Sequence, residues 1–355
     1  MSKLNLPILT RPNYLDDVTG HEKTKLFFKK RMKNKDYPQV MLFLGQTGIG
    51  KTTFQSIITK NILCQTNDRA GNACNTCEIC KAIDSNKFLI NYRSYNASNA
   101  NIDEMREIEN FLLEPIAFLG TNTKVVIIDE FQELYSNKKA SKNLLKVLET
   151  PMSDVHIILG AMDETKIEQA IKDRATVFNL KPLTESEVAD RLIQVCKQYL
   201  KFDNIENDEE KVQTIFLISE NSGGSLRRAV SLLDTVIDSD LWKPEDFRVE
   251  MNMLSYEQIN DIINKIMKGD VTVLNNTITP ENLTDITYKL LTIFKILNGF
   301  EVPPYQKKSL AGINRFDIKK VEKTLEYLFG LGYFSGLNKP QIEFHILKII
   351  TMNKE

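Results

Sequence analysis

Gly45-Gln46-Thr47-Gly48-Ile49-Gly50-Lys51-Thr52 is the stretch on which the fold turns. It follows the apolar run Val40-Met41-Leu42-Phe43-Leu44 and precedes Phe54, Ile57, Ile58 and Ile62, whose spacing is helical. Strand, glycine-rich turn and helix in that order read as a P-loop. The glycines let backbone N–H groups wrap a phosphate chain closely, and the following helix aims its positive end at the anion. Lys51 is expected to reach the terminal phosphates and the Thr52 hydroxyl to face Mg²⁺, with Thr53 completing the ATP-binding segment. A turn that merely joined a strand to a helix would need neither Lys51 nor Thr52.

A second run, Lys124-Val125-Val126-Ile127-Ile128-Asp129-Glu130, is apolar until it ends in two carboxylates. It reads as a strand buried on both faces of a parallel sheet. Asp129, at its C-terminal edge, is expected to hold Mg²⁺ directly or through water beside the P-loop, where such sheets place their ligands. Glu130 is expected to orient and polarise the attacking water. Hydrolysis of a phosphoanhydride needs this positioning and charge neutralisation more than covalent chemistry. An Asp-Glu pair is also common on solvated surfaces, and only the upstream P-loop gives this one its meaning. Val155-His156-Ile157-Ile158-Leu159 and Thr176-Val177-Phe178-Asn179-Leu180 fit further strands of the same sheet.

With 355 residues, 42% hydrophobic and 26% charged, the chain has material for two or three ordinary cores, which excludes wholesale disorder. A net charge of −1 leaves any polyanion binding to local clusters of Lys and Arg. No stretch approaches the ~20 apolar residues of a membrane span, and Met1 to Pro7 has no long apolar core. The expectation is a soluble, cytoplasmic protein.

Four of the five cysteines crowd into one segment: Cys64, Cys74, Cys77 and Cys80. Two C-x2-C steps let one tight turn supply three thiolates, and Cys64 closes a tetrahedral set, so structural Zn²⁺ is expected. Disulfides compete as an explanation, but an ATP-binding chain without a signal peptide belongs in a reducing compartment. Four protein ligands leave no open position for chemistry. Cys196, among Ala189, Leu192, Ile193 and Leu200, reads as a core residue.

Two arginine positions carry competing readings. Arg174, in Ile171-Lys172-Asp173-Arg174-Ala175, ends a helix before a strand. It either projects toward the phosphates of a neighbouring subunit or pairs with Asp173 at the surface. Arg227 and Arg228 open a helix after Asn221-Ser222-Gly223-Gly224-Ser225. Positive charge is misplaced at a helix N-terminus unless an anion lies nearby, although both side chains can simply point to water.

Together these residues resemble the AAA+ clamp-loader ATPases, specifically the bacterial DNA polymerase III gamma/tau subunit. The P-loop, the C-x9-C-x2-C-x2-C insertion before the acidic strand, Asp129-Glu130, Arg174 and Gly224-Ser225-Leu226-Arg227 carry the resemblance. Arg11-Pro12 with Asp17-Val18-Thr19-Gly20-His21-Glu22 is similar to the family's opening segment, which lies over the adenine. The resemblance covers roughly the first 240 residues. It implies catalytic roles for Lys51, Glu130 and Arg174, with Arg174 acting as a finger on the ATP of an adjacent subunit. Such a finger is worth about three to five powers of ten in rate. It further implies nucleotide contacts from Arg11, Pro12, Val18 and Arg227, and Mg²⁺ contacts from Thr52 and Asp129.

The implied fold is an α/β AAA+ P-loop NTPase domain over residues 1–180, with the zinc module at about 64–80. A small helical lid over 181–245 and an all-α collar over 246–355 follow, the latter on the helical spacing of Ile259, Ile262, Ile263 and Ile266 and of Leu290, Leu291, Ile293, Phe294 and Leu297. The periodicity alone equally fits an ordinary monomer core. The implied partners are other clamp-loader subunits in a ring of about five, a sliding clamp, and primer-template DNA bound without regard to sequence. Phe131, Leu134 and Tyr135 are candidates for clamp contact, although core packing competes for Phe131. Arg106 is a candidate for DNA, with a solvated face as its competitor.

Several positions depart from the family pattern. Asp173 and Ala175 replace the Ser and Cys that flank the finger, so Asp173 would restrain Arg174 when no neighbour is present. Met162 stands where a polar Thr or Asn usually faces the γ-phosphate; either a neighbouring side chain substitutes for it or hydrolysis is slower. Phe131-Gln132 replaces a common Val-His, and Asn99 replaces an Arg. These fit a divergent member, such as one carried by a phage. After Ile349-Ile350 no long Pro-rich or charged tail follows, from which the tau-type extension is expected to be lacking. The alternatives are a non-catalytic, delta-prime-like subunit and an AAA+ helicase loader. Intact Lys51, Thr52, Asp129 and Glu130 weigh against the first, and the cysteine quartet against the second.

Overall fold

β1 (Val40–Leu44) is buried at every residue, because its alternate side chains enter two different cores. Val40, Leu42 and Leu44 pack with Val126, Ile128, Ile157 and Leu159 on one face of the sheet. Met41 and Phe43 pack with Phe54, Ile58, Ile127 and Phe178 on the other. That two-sided burial is what a continuous apolar run encodes. The other strands are β2 (Tyr92–Asn96), β3 (Lys124–Asp129), β4 (Val155–Ala161) and β5 (Thr176–Asn179). They pair in the order β2-β3-β4-β1-β5, and every pairing is parallel.

This computed structural model describes residues 5–99, 102–113, 123–136, 154–251, 253–275, 278–302, 307, 310, 316–332 and 337–354. Four of the five strands coincide with the apolar runs. β2 does not: Tyr-Arg-Ser-Tyr-Asn is short and polar, as suits an edge strand with only Tyr92 and Tyr95 buried. β1 lies between β4 and β5, so the chain leaves it for the far side of the sheet and returns to its other flank. Parallel sheets bind ligands at such a switch point, outside the carboxyl ends of the strands. The P-loop leaves β1 there, and Asp129 ends β3 there.

The chain divides into two compact units, Met1–Asp203 with Ile215–Thr235, and Asn204–Thr214 with Val236–Glu355. The first holds the sheet, the helix Lys51–Leu63 and the helix Glu185–Leu200. Cys196 is fully buried on the last of these, and burial pushes its thiol up to about 12, as befits an unreactive core residue. The second unit is helical, with Tyr256–Lys268, Pro280–Leu297, Ile318–Gly330 and Lys339–Lys354 enclosing a core that includes Ile259, Ile263, Leu290, Leu325 and Ile346. Capping boxes at Ser255 with Gln258 and at Thr279 with Asn282 start two of these helices. Among the described residues, no helix is long and apolar enough to cross a membrane.

Of the two readings of Phe131, clamp contact and core packing, the structure shows core packing. Phe131 is buried against Tyr95, Ile128 and Leu159, because the turn Phe131–Ser136 folds it back under the sheet. The side chains of Leu134 and Tyr135 lie outside the described residues. Arg106 is exposed on the helix Ile102–Leu113.

Candidate nucleotide and metal sites

The loop after β1 is held where a phosphate chain would lie. The Gly45 N–H donates to Ala161 O at the end of β4 (3.1 Å). Gly45 and Gly48 have φ of 150° and 81°. A Cβ on Gly45 would come within 2.5 Å of the Leu180 carbonyl, and one on Gly48 within 2.1 Å of Ser225 Oγ. Only glycine satisfies both the conformation and the space. Lys51 Nζ donates to Gly45 O (2.7 Å) and Gln46 O (3.0 Å), so the ammonium already sits inside the loop. Burial lowers its pKa, while Asp129 and Glu130 oppose that shift.

The helix Lys51–Leu63 begins at this point and brings Thr52 to the end of β3. Thr52 Oγ1 donates to Asp129 Oδ2 at 3.1 Å, so the hydroxyl and carboxylate expected to share a cation are adjacent. Gly160 makes room for this arrangement on β4, since a Cβ there would lie 2.3 Å from both Asp129 Oδ1 and Gln55 Nε2. Glu130 follows with φ of +51°, the left-handed region that a residue with a side chain seldom occupies. Such strain concentrates at functional sites. The Glu130 N–H donates to Asp129 Oδ1 (3.1 Å), which fixes the two carboxylates relative to each other.

The remaining walls come from both ends of the first unit. Arg11 Nη2 donates to Thr52 O (3.1 Å), and burial lowers its pKa first of all. Arg191 Nη2 donates to Thr10 O (3.0 Å), and the Arg227 N–H to Gly48 O (3.4 Å). His21 lies against Ile49 O (3.0 Å) with its pKa lowered by burial, and Lys25 Nζ donates to Val18 O (2.9 Å). The cleft so formed has a volume of about 630 Å³ and is lined by Arg11, Pro12, Val18, residues 47–53, Asp129, Glu130, Arg191 and Arg227, with His21 and Lys25 outside it, bonded to the lining residues Ile49 and Val18. That volume falls in the range of ~300–1,000 Å³ common to small-molecule and cofactor sites.

Most residues singled out in the sequence therefore converge. Gly45 and Gln46 act behind the cleft wall by accepting from Lys51. Arg174 does not join them: it is exposed, and its Nη1 donates to Ala170 O (2.7 Å). Asp173 accepts from Gln169 Nε2 (2.7 Å). Arg191, Asn96 and the side chain of Gln132 belong to the site or its support and were not foreseen. Arg191 lies on the polar side of an amphipathic helix, where nothing in one sequence distinguishes it from a solvated arginine.

The cysteine quartet also converges. Cys64 caps the end of the helix Lys51–Leu63, Cys77 precedes the helix Glu78–Asp84, and Cys80 lies within that helix. The four Sγ atoms all lie within 4.8 Å of one another, and none is in a disulfide. A tetrahedron of thiolates at about 2.3 Å from one ion spaces the sulfurs at about 3.8 Å, so the donor set fits a single metal. Backbone N–H groups of Cys74, Thr76 and Cys77 point at Cys64 and Cys74 sulfurs at 3.3–3.5 Å. The Thr66 hydroxyl and the N–H groups of Thr76 and Cys77 hold the Cys74 thiol down at about 5, which favours the thiolate a metal needs, while burial and Cys77 push the Cys80 thiol up.

A parallel sheet in this order, with a P-loop after β1 and an acid pair at the end of β3, one strand away across β4, defines a P-loop ATPase fold of the AAA+ class. A family model described as DNA polymerase III, delta subunit, matches residues 20–184. The DNA polymerase III subunit gamma/tau of Mycoplasma genitalium is 29% identical over 321 residues, covering 89% of this chain and 51% of that protein. The DNA polymerase III subunit gamma of Buchnera aphidicola subsp. Acyrthosiphon pisum is 29% identical over 239 residues, covering 66% and 63%. A Thermotoga maritima RuvB structure matches with a TM-score of 0.46 and 17% identity, covering 82% of this chain and 86% of that one. The chain resembles the AAA+ clamp-loader ATPases of the gamma/tau type. It spans about half the length of the Mycoplasma genitalium relative.

Proposed function

We propose that this chain is the ATP-hydrolysing subunit of a DNA polymerase sliding-clamp loader. In a ring of about five subunits it would open the clamp and close it around primer-template DNA. The observation that carries the ATPase part is the 3.1 Å contact between Thr52 and Asp129, with the strained Glu130 next in the chain. The gamma/tau resemblance supports the clamp and DNA. The lid over 181–245, the collar over 246–355 and a cytoplasmic location belong to the same proposal.

Each residue has a definite task in this reading. The P-loop N–H groups and Lys51 bind the phosphates, Lys51 exchanging its contacts with Gly45 and Gln46 for phosphate oxygens. Thr52 and Asp129 hold Mg²⁺, which when bound neutralises charge on the phosphate oxygens. Glu130 orients the attacking water and accepts its proton. Arg11, Pro12 and Val18 cover the adenine, and Arg227 reads the nucleotide from the opposite wall. Arg174, exposed and outside this chain's own cleft, serves the ATP of a neighbour. ATP binding arranges the ring for clamp and DNA, and hydrolysis releases both.

Lys51→Ala tests the nucleotide part. It is expected to weaken ATP binding by at least about tenfold and to remove Mg²⁺-dependent hydrolysis, because a charge-assisted contact to phosphate is lost. Unchanged binding in a titration of fluorescent ATP analogue would reject the site.

Cys64, Cys74, Cys77 and Cys80 are proposed to hold one structural Zn²⁺. The module's apolar core contains little beyond Cys64, Ala73 and Cys80, so the metal would be its main tie. Elemental analysis is expected to find one zinc per chain, falling toward zero in Cys77→Ser. Limited proteolysis of that variant is expected to cut within residues 64–80, whereas an uncut chain without zinc would contradict the structural role.

A second reading, a non-catalytic delta-prime-like subunit, is favoured by the description of the matching family model and by Met162. It requires that bound ATP not be turned over.

A further inference from the structure

Beyond the residues already assigned, Gln132 stands between the acid pair and the end of β4. It is 3% exposed. Its Nε2 donates to Glu130 Oε2 at 2.6 Å, and its Oε1 accepts the N–H of Met162 at 3.0 Å. The orientation of the amide is forced. A backbone N–H can only donate, so the carbonyl end must face Met162, and the NH₂ end is left for the carboxylate, which can only accept. One buried side chain therefore ties Glu130 to the residue that follows β4.

Met162 has a second tie, to the P-loop. Its Sδ lies 2.8 Å from the Thr47 hydroxyl. A thioether is a weak acceptor with no proton to donate, so this side chain cannot itself hold a water or a phosphate oxygen firmly. The backbone N–H of the same residue does have a strong partner, and that partner reaches Glu130. The polar link between the end of β4 and the reacting centre, absent from the side chain of Met162, runs through Gln132 instead.

We propose that Gln132 is a positioning residue for hydrolysis, fixing the Glu130 carboxylate against the end of β4 and through Met162 against the P-loop. The proposal rests on the reading of Glu130 as the residue that orients water. The Glu130 main chain is already set by its left-handed φ, by its N–H to Asp129, and by its carbonyl, which accepts the Glu133 N–H at 2.9 Å. The side chain has torsions of its own, and Gln132 supplies a contact that selects among them. A misplacement of about 1 Å at a reacting group is worth about a hundredfold in rate.

The test compares single-turnover ATP hydrolysis and ATP affinity in the full chain for Gln132→Met and Gln132→Glu. Methionine keeps length and volume without hydrogen bonds. Glutamate keeps an acceptor for Met162 and sets a like charge beside Glu130. Both are expected to lower the hydrolysis rate by about ten- to a hundredfold while ATP affinity stays within about twofold. Adding Gln132→Met to Glu130→Gln is expected to lower the rate no further, because the two act as one unit. A Gln132→Met rate within about twofold of the parent, beside a collapsed Glu130→Gln rate, overturns the proposal and leaves Glu130 in place. So does a parallel fall in rate and affinity, which marks a general structural loss. An unaffected Glu130→Gln rate overturns the reading of Glu130 itself.

Discussion

Glu130→Gln is expected to lower ATP turnover by about 10²–10⁴-fold while nucleotide affinity stays within about threefold. The substitution is isosteric, and an amide oxygen at this position still accepts from Gln132 Nε2, so the local geometry survives. What is lost is the negative charge and the proton acceptor. Asp129 keeps its contacts with Thr52 and with the backbone N–H of residue 130, and the P-loop is untouched. The loss therefore belongs to the chemical step and not to binding. Burst and single-turnover kinetics with radiolabelled ATP separate the two, and a fall in affinity equal to the fall in rate would show that Glu130 shapes the pocket instead.

Arg174→Ala is expected to act only in the assembled ring. There the rate should fall by about 10³–10⁵-fold, the range for loss of an arginine finger. The isolated chain should bind ATP with affinity within about twofold of the parent, because Arg174 is exposed and does not line the cleft of its own subunit. Its guanidinium holds the Ala170 carbonyl, an exposed contact that a phosphate on a neighbouring subunit can displace. Mixing Arg174→Ala subunits with Lys51→Ala subunits gives a further arm. Interfaces that join an intact finger to an intact P-loop should hydrolyse, whereas a site working alone would lose activity only through Lys51. Equal loss of ATP affinity in the isolated Arg174→Ala chain would contradict a role in trans.

The parts of this molecule legible in its sequence are those where one local pattern determines both backbone and chemistry. Val40–Leu44 must be a central strand because both of its faces are buried, and Gly48 must be glycine because its φ is positive and Ser225 leaves no room for a Cβ. The cysteine spacing likewise forecasts a cluster that closes to within 4.8 Å. The edge strand Tyr92–Asn96 was not legible, since pairing along one side leaves it free to carry Arg and Ser. Phe131 stays open between surface contact and core packing in the sequence, because its burial depends on how the short turn Phe131–Ser136 folds. Gln132 and Arg191 escaped for a related reason. Their partners, Met162 and Thr10, lie 30 and 181 residues away, and no periodicity encodes contacts of that kind.

The most direct test of the account is steady-state ATP hydrolysis by the purified chain, assembled with its ring partners, with and without a sliding clamp and primed DNA. Clamp and primed DNA together are expected to stimulate turnover beyond either alone, and Lys51→Ala to remove the stimulated rate. Turnover that responds to DNA but is indifferent to the clamp, or bound ATP that no combination turns over, would contradict it.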